Sequence, residues 1–145
     1  MKTLSTLLAQ GAAGVYRCHG QAGNVPPEAL APARLLSLRL HAVRDKNAFM
    51  KAVAAALAFP AYFGHNWDAF YDCMLDVERG DGLVIVFSEA SAFARSDPEE
   101  FAAAIDTFVD AADFWKDEKK TLVVAFELDT PALAPDLPEV SCRAS

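Results

Sequence analysis

The strongest constraint in this sequence is a pair of uninterrupted apolar runs, Leu-Val-Ile-Val-Phe at 83–87 and Leu-Val-Val-Ala-Phe at 122–126. Each is the length of a strand and has no polar face. That pattern predicts strands covered on both sides, as in a parallel sheet packed with helices. Gly80-Asp81-Gly82 supplies the turn before the first run. A third strand is predicted at 35–42, where Leu36, Leu38 and Leu40 alternate with polar neighbours to give one apolar face.

Helical periodicity fills the intervals. Asp45 is placed to cap a helix running to about Ala58, with Phe49, Val53, Ala56 and Leu57 at helical spacing and Pro60 as its stop. Asn66 caps a second helix, to about Val77. Asp97-Pro98-Glu99-Glu100 opens a third, whose core face is Phe101, Ile105, Phe108, Ala112 and Trp115 and whose end carries Lys119-Lys120. The order strand, two helices, strand, helix, strand predicts a single-domain α/β fold with a small three-stranded parallel sheet. Its limits are read as residues 34–128. Residues 1–33, broken by Pro26, Pro27 and Pro32, are expected as an irregular extension with one possible short strand at 14–18. Residues 129–145 are expected as a proline-containing tail.

Composition bears on what such a domain binds. With 145 residues and 53% hydrophobic content the chain can bury a core, unlike a disordered segment. A formal charge of −7 argues against direct nucleic-acid binding, which needs a basic surface, and favours a cationic partner. Cys18, Cys73 and Cys142 form an odd set without a CxxC or Cys/His spacing, so neither a disulfide framework nor a zinc site is expected, and reduced thiols are. No apolar run reaches membrane-spanning length, and the first residues lack the continuous apolar core of a signal peptide. A cytoplasmic protein with no membrane partner is expected.

The segment richest in chemistry is Pro60-Ala61-Tyr62-Phe63-Gly64-His65-Asn66-Trp67-Asp68-Ala69-Phe70-Tyr71-Asp72-Cys73-Met74. At 100° per residue, Trp67, Phe70, Tyr71, Met74 and Val77 share one broad helix face. Asp68, Asp72 and Asp76 form an adjacent stripe at i, i+4 and i+8. Like charges at that spacing cost a few tenths of a kcal/mol each, and a solvated helix face would account for them without any function. The loop before the helix adds Tyr62 and Phe63 beside Gly64, and aromatics next to acids make a plausible contact surface. Phe63 fits the core as well as it fits a contact.

This segment resembles the signature of the barstar family: proline, tyrosine-aromatic-glycine, asparagine, then aspartate-alanine followed by aspartate-cysteine. The resemblance extends by element order over about residues 35–126. It implies a barstar-like fold with no enzymatic activity and no cofactor. The implied function is a protein inhibitor, of the antitoxin or immunity kind, that blocks a microbial ribonuclease by placing carboxylates where RNA phosphates would lie. Carried over by motif, Tyr62, Gly64 and Asn66 match the contacting loop, and Asp68 and Asp72 the carboxylates aimed at the basic site, with Asp72 the strongest contact. Phe63 and His65 accompany that loop. Tyr71 stands where the family often has tryptophan, and Asp110 replaces a peripheral glutamate. Asp76-Val77 takes the place of a contact Gly-Trp pair, and the following connection is one residue longer. These departures imply a target different from barnase, either a basic ribonuclease or a toxin nuclease domain.

Two other readings compete. An acidic interaction module could bind a basic partner that is not a nuclease. A metal-dependent hydrolase could use His65, Asp68 and Asp72, although no HExxH or second cluster of ligands accompanies them. His19 and His41 are isolated and receive no role, and no GxSxG, GxGxxG or Walker pattern occurs.

Overall fold

The computed structural model describes residues 1–60 and 63–142. Its centre is a sheet of four parallel strands in the order β1-β4-β3-β2, formed by β1 (Gly14–Cys18), β2 (Arg34–Arg39), β3 (Leu83–Ser88) and β4 (Leu122–Glu127). The expected three-stranded sheet is therefore corrected to four. The short run at 14–18 pairs with β4 from Gly14 opposite Val123 to Cys18 opposite Glu127. The short strand expected at 14–18 thus joins the sheet, because the outer edge of β4 offers backbone groups that need partners.

The two apolar runs occupy the centre, and their residues divide between two cores. Leu83, Ile85 and Phe87 of β3, with Leu122, Val124 and Phe126 of β4, pack on one side. Val84, Val86, Val123 and Ala125 pack on the other. The first side carries α2 (Lys46–Leu57), α3 (Trp67–Asp76), α4 (Ser91–Ser96) and α5 (Pro98–Asp117) through Phe49, Phe70, Phe93, Phe101 and Phe108. The second is covered by Leu4 and Leu7 of α1 (Leu4–Ala9), with Ala22, Leu30 and Val140. Residues on either flank of 34–128 thus close one whole face of the sheet.

Of the predicted caps, Asp45 and Asn66 form theirs, whereas the Asp97 side chain makes no capping bond and accepts instead from the Lys46 N–H at 3.3 Å. The Asp45 carboxylate accepts from the Ala48 N–H at 2.8 Å, and the Asn66 side-chain oxygen accepts from the Ala69 N–H at 2.8 Å. The short α4 between β3 and α5 carries no cap signal, since Ala90 stands at its N-cap.

The tail returns along β1. Arg17 donates its backbone N–H to the Pro138 carbonyl, and Val140 donates to the Arg17 carbonyl, each at 2.9 Å. The Arg17 guanidinium bonds the Leu137 carbonyl and faces Glu139 at 3.6 Å. This return brings Cys142 to Cys18, and the two form a disulfide across 124 residues, with Cα atoms 6.1 Å apart. The expectation of reduced thiols is corrected for this pair, which local spacing could not reveal because tertiary folding creates it. Cys73 remains free. Among the described residues no helix is long and apolar enough to cross a membrane.

Candidate protein-binding site

The acidic helix α3 is held by its apolar face and by both of its ends. Phe70 and Met74 are fully buried, while Trp67 and Tyr71 are half-buried against α5. The Trp67 indole N–H donates to the Glu100 carboxylate at 2.7 Å, joining the first turns of α3 and α5. The Trp115 indole N–H donates to the Met74 carbonyl at 3.2 Å, joining their last turns. The two helices therefore run parallel, side by side. With that face occupied, periodicity leaves Asp68, Asp72 and Asp76 exposed along the adjacent stripe of the helix.

The loop before α3 separates the expected contacts into two groups. Phe63 is 8% exposed and packs edge-on against Phe59, with ring centroids 5.4 Å apart, so it belongs to the core. Gly64, His65 and Asn66 are exposed. His65 takes a positive φ of 50°, which turns the chain into the helix behind the Asn66 cap. Tyr62 lies outside the described residues.

Between α3 and α5 runs a groove of about 530 Å³, whose walls include Trp67, Asp68, Tyr71, Asp110, Asp113 and Asp117. The structure thus joins Asp68, Tyr71 and Asp110, which are far apart in sequence, and leaves Asp72 and Asp76 on the ridge outside the groove. Sequence reasoning missed Trp67, Asp113 and Asp117 as members of this surface. The signal was the series Asp110, Asp113 and Asp117, whose three- and four-residue steps put all three on one side of α5. No basic side chain lines the groove. The local field is also felt at Cys73, whose thiol is pushed up by burial first and then by the charges of Asp76 and Asp72.

What this arrangement can do chemically is present carboxylates and aromatic edges to a cationic surface. Among the described residues no three His, Cys, Asp or Glu side chains gather so as to hold a metal ion, and His65, Asp68 and Asp72 do not form such a set.

Comparison with known proteins bears on the same region. Curated proteins give no match. The family model described as Barstar (barnase inhibitor) matches residues 33–127, a span that begins just before β2, ends with β4 and contains the whole α3–α5 surface. That match covers well over half of the sequence, and this chain belongs to the barstar family.

Proposed function

We propose that this protein inhibits a basic microbial ribonuclease by seating the exposed face of α3, and the loop before it, in the enzyme's active site. The observation that carries this reading is the Asp68, Asp72 and Asp76 stripe, exposed on a helix whose other face and both ends are fixed to the core. Ribonucleases hold phosphates with cationic side chains, and a preformed acidic surface competes for the same groups. Asp110, Asp113 and Asp117 extend the field across the groove, so steering should accelerate association at low salt. Asp68 and Asp72 make the central contacts, with Gly64, His65, Asn66 and Tyr71 around them and Tyr62 completing the loop. Asp76 and Asp110 lie at the margin. The protein catalyses nothing in this reading and protects the cell from a nuclease.

The test is inhibition of a panel of small bacterial ribonucleases and toxin nuclease domains, with salt varied. Asp72→Ala should cost at least about 2 kcal/mol, roughly a thirtyfold rise in inhibition constant. The Asp68→Ala/Asp72→Ala pair should abolish tight inhibition while leaving the thermal unfolding curve in place. Undiminished inhibition by that double variant would move the site elsewhere. Stable complexes formed without loss of nuclease activity would favour an interaction module over an inhibitor.

A further inference from the structure

A second concavity, of about 710 Å³, lies over the carboxyl ends of all four strands and shares no lining residue with the α3–α5 groove. His19 enters it just after β1, His41 after β2, Glu89 after β3 and Asp129 after β4, while Arg44, Ser91 and Arg95 come from the segments that follow β2 and β3. Open parallel sheets bind ligands at this end, because successive strands deliver their following loops to one place. The volume falls within the range of small-molecule sites.

The pairing pattern inside the cleft decides the sign of what it would bind. Its acids are engaged. Asp129 receives two hydrogen bonds from the Arg95 guanidinium, at 2.6 and 2.7 Å. Glu89 is paired with Arg39. The Glu127 carboxylate accepts from the Glu89 N–H at 2.9 Å and the Ala22 N–H at 3.1 Å. Among the described residues, Arg44 has no hydrogen-bond or ion-pair partner within the chain, while His41 and His19 make no hydrogen bond but lie within electrostatic reach of Glu89 and Asp129. The unspent capacity of the cleft is therefore the positive charge of Arg44 and the ring N–H groups of His19 and His41. Glu89 holds a φ of 55°, a region uncommon for any residue but glycine, at the point where β3 turns into the cleft. Ala92 and Leu128 add apolar surface beside these polar groups.

We propose that the cleft at the carboxyl ends of the strands binds a small organic phosphate, with Arg44 as the charged anchor and His19 and His41 as further donors. A phosphate presents several acceptor oxygens and suits a site with several convergent donors. The cavity has room for a sugar attached to it. This inference does not depend on inhibition of a nuclease.

Amide NMR of the full chain, titrated separately with ribose 5-phosphate, inorganic phosphate and ribose, tests it. Ribose 5-phosphate should shift the amides of Gly20, Ala92 and Leu128 saturably and at lower concentration than inorganic phosphate, while ribose should leave them in place. Arg44→Gln should raise the half-saturating concentration about tenfold or more. His41→Gln should raise it by a smaller factor. Arg44 is exposed and unpaired, so its replacement leaves the fold intact. Absence of saturable shifts with ribose 5-phosphate, or unchanged binding in Arg44→Gln, would overturn the site. Equal binding of the two phosphates would overturn the assignment to an organic phosphate.

Discussion

At the scale of single residues, the acidic face sets the chemistry of its neighbours as well as its own charge. Cys73 sits between Asp72 and Asp76 in sequence and at the edge of the buried face, and burial leads the two carboxylates in disfavouring its thiolate. Asp76→Asn removes the larger of the two charge effects and lowers the thiol's pKa. Alkylation of Cys73 at fixed, mildly alkaline pH should then accelerate by about twofold, the scale of one charge acting near water. An unchanged rate, measured by mass spectrometry with Cys18 and Cys142 left oxidised, would mean that burial alone governs this thiol. The site was legible here where residue type and period coincide: Asp68, Asp72 and Asp76 are exposed as their spacing predicts. Phe63 shows the limit. The motif groups it with a contacting loop, yet its ring fills the space beside Phe59 and Phe70, a choice that only packing makes.

At the scale of elements, the cap residues and stop signals located helices well, and the ends reveal where local geometry is unfavourable. Helix α2 closes on Ala58 in the left-handed conformation, with φ 54° and ψ 48°, while the N–H groups of Ala58 and Phe59 both return to the Ala54 carbonyl. An alanine pays a steric penalty there that glycine avoids. After allowance for the greater freedom of glycine in the unfolded chain, Ala58→Gly should stabilise the protein by about 0.5–1 kcal/mol. Urea midpoints at equal slope would show it, and a destabilised variant would refute the argument. The α4 turn, with alanine where a cap is expected, escaped the sequence, whereas β1 was legible as a short strand at 14–18 and only its place beside β4 was not. The four acids of the α3–α5 groove likewise come together only because two tryptophans align the helices.

At the scale of the whole molecule, closure of the second sheet face depends on the two ends of the described chain meeting. The Thr3 and Ser141 segments form a bridge, the Arg17 guanidinium holds the returning tail, and the Cys18–Cys142 disulfide joins them. A link spanning 124 residues removes much of the freedom of the unfolded chain, worth about 4–5 kcal/mol on the loop-entropy account. Cys142→Ser, or mild reduction, should lower unfolding stability by up to that amount and leave the α3 face able to bind, since the disulfide belongs to the opposite core. Loss of partner binding in parallel with the disulfide would show that the two faces of the sheet are coupled. The two indole hydrogen bonds that fasten α3 to α5 have a consequence for descent with change. Because none of the fastening atoms belongs to Asp68, Asp72 or Asp76, those positions can be rewritten without disturbing what holds the helix. One scaffold can thereby follow a drifting target by exchanging only its outermost letters.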